Sequence, residues 1–375
     1  MCNARLNIWV LIWALFPFLA IGQDTLTKTT VWKANENNIF THFVYGLTVT
    51  VKGTILAFSE ARIANGSDHG AHHIVLKRST DSGGSFSESR MLAESTYGQS
   101  WANPTVVQDR TTGIVFLFYA LNHGNRSSEV FYMKSSDDGL TWTRPVNLTK
   151  IFKTDSNEWT FHLPGPGHGI QLADGRLIIP VWHRKDISFP RAERNYGVSC
   201  IYSDDHGRTW KSGGNTPVGE LNESQIVEQT NGTILLIGRT ISSLGGSYQA
   251  KVISRDKGIS WSAEMEYDQG LPGVVCDIGL LRYSLNPSIL LVSQPADLKK
   301  RRDLTIRVSS DEGHTWPFVK LLQEGPANYS DLAILPDKSI ICLYGNGNKS
   351  NMPENVILAR FNFNWLKENN INIKK

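Results

Sequence analysis

The sequence predicts an all-β fold, a six-bladed β-propeller, on two observations: a turn motif that recurs five times, and strand-like runs ahead of the copies. The first copy reads Ser79-Thr80-Asp81-Ser82-Gly83-Gly84-Ser85-Phe86. Residues 135–142, 203–210, 254–261 and 309–316 repeat its pattern of Ser-x-Asp-x-Gly-x-Ser/Thr-aromatic. The Asp carboxylate accepts from nearby backbone N–H groups, and the Gly supplies the positive φ of a tight hairpin turn. The closing aromatic is expected to start the next strand and pack into the core. Residues 74–78 and 129–134 are apolar, β-prone runs of strand length. A spacing of roughly 50–70 residues with several short strands suits one four-stranded blade. Five copies give five blades, and the terminal strands close a sixth.

The first 22 residues have the character of a targeting segment. Arg5 precedes an apolar run over residues 8–20, and Ala20-Ile21-Gly22 offers small residues for cleavage. The run is short for a membrane span and is interrupted by Pro17. The expectation is a signal peptide over residues 1–22, a propeller over 23–375, and a secreted or periplasmic chain without stable membrane insertion. Lys and Arg number 38 against 35 Asp and Glu, for a net charge of +3. These charges are scattered, so no nucleic-acid partner is expected. Of four cysteines, Cys2 leaves with the signal. Cys200, Cys276 and Cys342 sit in apolar stretches without paired spacing, as buried strand residues rather than a disulfide framework or metal site.

The repeated turns resemble the Asp-boxes of the sialidase family, and the resemblance extends over nearly all of residues 40–365. Asp-boxes also occur in non-catalytic propellers, so function must be argued from the site. The chemistry implied is cleavage of a ketosidic bond at a carbon that already bears a carboxylate. A second carboxylate would be repelled there. A neutral phenol is not, provided a base takes its proton, because a free Tyr titrates near pH 10.

The resemblance assigns the parts. Asp68, in Ser67-Asp68-His69-Gly70 after Glu60-Ala61-Arg62, matches the family's acid/base loop and places Arg62 in the pocket. Glu223, in Leu221-Asn222-Glu223-Ser224-Gln225, matches the base, directly before the apolar Ile226-Val227 strand start and so near a strand end. Tyr329, in Asn328-Tyr329-Ser330-Asp331-Leu332, matches the nucleophile, again ahead of a strand. Planar guanidinium groups bind carboxylates well. Arg239 and Arg301 match two of the family's three such arginines, with Arg302 open as the alternative to Arg301. Asn103 and the Gly165-Pro166-Gly167-His168-Gly169 loop match pocket-lining positions, with His168 read as structural. No cofactor or metal is expected.

Two family features are missing. The first arginine should precede the Lys52-Gly53 turn, where this chain has His42-Phe43-Val44-Tyr45. Its Glu partner should follow Tyr344, where this chain has Gly345. Their joint loss is coherent, since a lone buried Glu would be costly. The expectation is that Phe43→Arg with Gly345→Glu restores the subsite. Cys276-Asp277 also replaces a Gln near the substrate's polar tail. The implied function is retaining exo-α-sialidase action on sialylated glycans, glycoproteins or glycolipids. The alternatives are hydrolysis of another ulosonic acid, such as a 3-deoxy-octulosonic acid, and a non-catalytic glycan-binding propeller.

Overall fold

The computed structural model describes residues 26–152, 157–241, 248–347 and 352–368. The signal-peptide reading of residues 1–22 lies outside them. Strands Thr41–Val49, Ile55–Arg62 and His72–Ser79 form an antiparallel meander with Arg90–Ala93 outermost. Ser100–Gln108, Val115–His123, Ser127–Ser135 and Val146–Asn147 make the next, joined to the first by one parallel contact between His72 and Ser100. Phe161–Pro164, Leu177–Arg184, Gly197–Ser203 and Lys211–Ser212 follow. Then come Leu221–Glu228, Ile234–Thr240, Tyr248–Ser254 and Glu266–Pro272.

The long strand Phe318–Ile334 serves two meanders. Its first half pairs with Arg302–Ser309, beyond which lie Ile289–Pro295 and Gly279–Ser284. Its second half pairs with Ile340–Asn346, then Asn355–Phe361, then the N-terminal strand Leu26–Lys33. Strand Thr41–Val49 packs beside both Ser100–Gln108 and Phe318–Ile334, which closes the sheets into a ring. The fold is all-β and of the propeller type. Sheets stacked on both sides explain why strands such as Ile55–Arg62 are buried along their whole length. Leu56, Phe58, Val106, Leu117 and Tyr119 fill the space between the first two meanders.

The five sequence repeats close one common turn. In the first, Ser79 Oγ donates to Asp81 Oδ1 and accepts from Gly83 N, while Ser85 N donates to Asp81 Oδ1 and Ser85 Oγ to Oδ2. These bonds hold the Asp81 carboxyl well below its ordinary range. The pattern recurs around Asp137, Asp205, Asp256 and Asp311. The Gly has positive φ as expected, and so does the residue before it: Ser82, Asp138, His206, Lys257 and Glu312. A Cβ on Gly207 would overlap the Phe116 ring, so this turn docks on the neighbouring meander.

Two expectations need correcting. The closing aromatics pack against the core, but they precede the next strand rather than begin it; Trp210 is followed by Lys211–Ser212 and Trp316 by Phe318–Ile334. The three cysteines are free and buried, yet Cys276 lies in the loop after Glu266–Pro272, not in a strand. Among the described residues no helix is long and apolar enough to cross a membrane.

Candidate active site

Strand register separates the repeated turns from the candidate residues. Ser79, which opens the first turn, pairs with Ile55, whereas Arg62 at the far end of that strand pairs with His72. Likewise Ser254 pairs with Ile234, and Arg239 sits at the opposite end of Ile234–Thr240. The turns and the candidate residues therefore occupy opposite rims.

Tyr329 and Glu223 both lie inside strands, Phe318–Ile334 and Leu221–Glu228, rather than just ahead of them. Sequence reading missed this because both strands carry a bulge at the residue in question, between Ala327 and Ser330 and between Leu221 and Ser224. A bulge interrupts the apolar alternation that marks a strand, and it re-aims a side chain. Here it brings the two residues together: Tyr329 Oη donates to Glu223 Oε2 at 2.6 Å. Arg239 Nη1 donates to both oxygens at 2.5 Å. All three groups are largely buried, and the guanidinium offsets the cost of burying the carboxylate. Burial pushes the Tyr329 hydroxyl well above its ordinary value, and the Glu223 charge adds to this against the opposing pull of Arg239. The phenol is therefore protonated and aimed at a base.

Arg301 is the arginine that reaches the pair. Its guanidinium lies 5.1 Å from the Tyr329 ring centre and donates to Val275 O. Arg302 instead pairs with Asp303, half exposed.

Arg62 is fully buried and binds two carboxylates. Nε and Nη2 donate to Glu60 Oε2 at 3.0 and 2.8 Å, and Nη1 lies 2.9 Å from Asp68 Oδ1. The Asp68 side chain keeps 73 % of its surface exposed. Its backbone carbonyl is pinned by Asn122 Nδ2 and Ser100 Oγ. Partial desolvation disfavours the charge on Asp68, but the charge and hydrogen bond of Arg62 outweigh it and hold the carboxyl below its ordinary value. Glu60 is the residue that sequence reading passed over. It shares a face with Arg62 because residues two apart on a strand point the same way, a signal present in Glu60-Ala61-Arg62. Glu60 Oε1 also accepts from Asn103 N at 2.9 Å. Asn103 Nδ2 is turned to Pro164 O, so Asn103 braces Glu60 and the Gly-Pro loop.

The corner of the missing arginine is filled. The Phe43 ring packs on Tyr329 with centroids 4.6 Å apart, and Arg62 sits 4.9 Å from the Phe43 ring centre. His42 points elsewhere, stacked on Trp32. Asp277 is buried, and burial, then the charges of Glu223 and Asp331, raise its carboxyl well above the ordinary range. Among the described residues no three His, Cys, Asp or Glu side chains gather to hold a metal ion.

A BNR repeat-like domain family matches residues 53–342. The chain belongs to the sialidase family with BNR repeats. It is 31% identical to a sialidase of Bacteroides fragilis over 343 residues, covering 83% of this chain and 61% of that protein. It is 30% identical to a sialidase of Micromonospora viridifaciens over 376 residues, covering 92% of this chain and 55% of that protein. Among solved structures, the Hadza microbial sialidase Hz136 superposes with a TM-score of 0.79 at 26% identity, covering 90% of this chain and 68% of that one. The chain thus spans under two thirds of the length of these two sialidase relatives.

Proposed function

We propose that the chain is a retaining exo-α-sialidase on a six-bladed propeller with five Asp-boxes, removing terminal sialic acid from glycans, glycoproteins or glycolipids. The observation that carries the reading is the buried Tyr329 hydroxyl donating to Glu223 under Arg239. A glycan-binding module has no use for such a pair.

Arg239 and Arg301 would meet the substrate carboxylate. Tyr329 Oη then attacks the anomeric carbon and gives its proton to Glu223. The bond to the leaving oxygen breaks as protonated Asp68 supplies that oxygen with its proton. In the second step Asp68 takes a proton from water, the hydroxide oxygen attacks the same carbon, and the Tyr329 oxygen leaves and recovers its proton from Glu223. Two inversions at one carbon give retention. Asp68 faces Arg62 in the free protein, so substrate must draw it from that partner toward the leaving oxygen. The family's relatives named as sialidases support the activity. The apolar run ahead of Gln23 supports a signal peptide and a secreted or periplasmic enzyme.

The test is turnover of an aryl α-sialoside followed by proton NMR. Release of the α-anomer first supports retention; initial β-anomer sinks it. Turnover of a different aryl ulosonide, with none of the sialoside, would show that the Phe43 corner serves another sugar.

A further inference from the structure

We propose that Asp331 and His168 form a buried clamp that positions Tyr329 for attack, an inference that rests on the reading of Tyr329 as the nucleophile. Backbone pairing does not fix Tyr329. The ladder to Ile340–Asn346 is interrupted between Ala327 and Ser330, so Tyr329 stands on the bulge. Two residues on, Asp331 points to the same face of the strand and is almost completely buried. Its carboxylate ties three segments together. Oδ1 accepts from His168 Nδ1 at 2.7 Å and from Leu332 N at 2.9 Å, and Oδ2 accepts from Leu47 N at 2.9 Å.

Each tie reaches a part of the site. Leu47 belongs to Thr41–Val49, the strand that lays Phe43 on the Tyr329 ring. That strand has its own bulge, with Val44 at φ 58° and a register shift between Phe43 and Tyr45. The Leu47 bond holds it to Phe318–Ile334 just beyond the irregularity. His168 belongs to Gly167–His168, paired with Ser100–Gln108 at Thr105 and Val106. The same segment meets the base strand: Gln225, two residues after Glu223 on the same face, donates to Pro166 O. Gly167 has φ 102°, and a Cβ there would overlap Gln225 Nε2 and lie 3.4 Å from Asp331 Cγ. Only glycine lets the segment pass between the two strands.

The site therefore has two layers on the same pair of strands. Glu223 and Tyr329 form the reacting layer, and Gln225 and Asp331 lie beneath them, bridged by residues 166–168. Burial opposes charge on His168, but the Asp331 carboxylate outweighs it and raises the ring's affinity for a proton. Asp331 in turn bears on Asp277, which also faces Glu223 and Arg239. The clamp thus spends the Asp331 carboxylate on His168, Leu332 and Leu47, and Glu223 is the carboxylate bonded to Tyr329.

The test separates positioning from binding. A 3-fluorinated sialosyl fluoride forms the bond between Tyr329 Oη and the anomeric carbon while fluoride leaves with its electron pair and the phenolic proton passes to Glu223. Asp331→Asn and His168→Asn, each confirmed as folded by thermal melting, are compared with the parent. The expected result is a labelling rate and kcat lowered by about tenfold or more, with inhibition by free sialic acid and KM within about twofold. Labelling of the folded variants at the parent rate overturns the clamp, and so does an equal fall in binding and labelling. His168→Asn, which leaves the Leu47 and Leu332 bonds to Asp331, is the variant to read if Asp331→Asn does not fold. Peptide mapping distinguishes the two readings. A parent labelled elsewhere than Tyr329 sinks the nucleophile assignment and the clamp with it, whereas labelled Tyr329 in fully active variants sinks the clamp alone.

Discussion

The Tyr45 hydroxyl stands so close to Gly345 that a Cβ on the glycine would overlap it, together with Asn328 Oδ1, and would approach Pro353 Cγ to 2.8 Å. Tyr45 therefore fills the space where a glutamate partner for the family's first arginine would enter. The loss of that arginine and its Glu is a repacked corner, not a vacancy.

This overturns the expectation that two substitutions restore the subsite. Gly345→Glu, alone or with Phe43→Arg, is expected to destabilise the fold by overpacking, at about 1–3 kcal/mol. It should weaken inhibition by sialic acid rather than strengthen it. Adding Tyr45→Ala to the double variant relieves only the Tyr45 overlap, since Asn328 Oδ1 and Pro353 Cγ remain, so it should not restore the parent melting temperature but should ease the clash enough to lessen the loss of sialic acid inhibition. Thermal melting with inhibition constants across the single, double and triple variants checks this. A double variant as stable as the parent would show that Tyr45 is not the obstacle.

Tyr329→Phe removes one hydroxyl from a site that is otherwise packed by Phe43 and Arg301. The fold should be unchanged, and kcat should fall about a thousandfold, roughly 4 kcal/mol of transition-state stabilisation. Near-normal turnover of an aryl sialoside by the folded variant would remove Tyr329 from the mechanism.

Arg62 keeps the Asp68 carboxyl below its ordinary value in the free protein. An acid that deprotonates at low pH assists departure only on the acidic side. Cleavage of natural glycosides, whose alkoxide leaving groups need a proton, should therefore fall off with rising pH sooner than cleavage of nitrophenyl substrates. Asp68→Asn should cost the natural glycoside at least about tenfold more than the activated one. Equal losses on both substrates would remove Asp68 from the acid role.

What the sequence made legible follows from the range of the physics involved. The repeated turns are local: Ser, Asp, Gly and Ser/Thr bond one another within six residues, so Asp81 and its counterparts could be read from spacing. The site residues could be named only through family resemblance, because Glu223 and Tyr329 are 106 positions apart and meet through the ring of sheets. Their strand placement was missed because bulges hide the period of two. The roles of Asp331 and Tyr45 were missed because each depends on a partner distant in sequence. Glu60 was missed despite a local trace, its i, i+2 spacing from Arg62.

The docking of the repeated turns is tested by two glycines in the same backbone region. Gly207 has φ 76° and Gly232 has φ 80°, so alanine strains both backbones alike. A Cβ at Gly232 meets nothing within 4 Å, whereas at Gly207 it overlaps Phe116. Gly232→Ala should cost about 1–2 kcal/mol from strain alone. Gly207→Ala should cost clearly more, since Phe116 is packed against Tyr132 and Trp210 and has little room to move. Equal costs in chemical denaturation would mean that the turn does not bear on the neighbouring meander.

Burial holds His42 and His72 neutral, each with its pKa lowered to about 3 from an ordinary value near 6.5. The unfolded chain binds those protons near pH 6.5 and the folded chain does not. Their contribution is therefore complete above about pH 6.5 and is lost as pH falls toward 3. Each group should cost about 1.4 kcal/mol of stability per pH unit across that window. His42 is the cleaner probe, because its Nδ1 is buried without a hydrogen-bond partner and its ring stacks on Trp32. Phenylalanine preserves the stack and cannot titrate. Between pH 7 and 4.5, His42→Phe should retain about 2–3 kcal/mol of the stability that the parent loses. Parallel stability curves for the two proteins would mean that His42 is charged in the folded state or that the acid limb arises elsewhere.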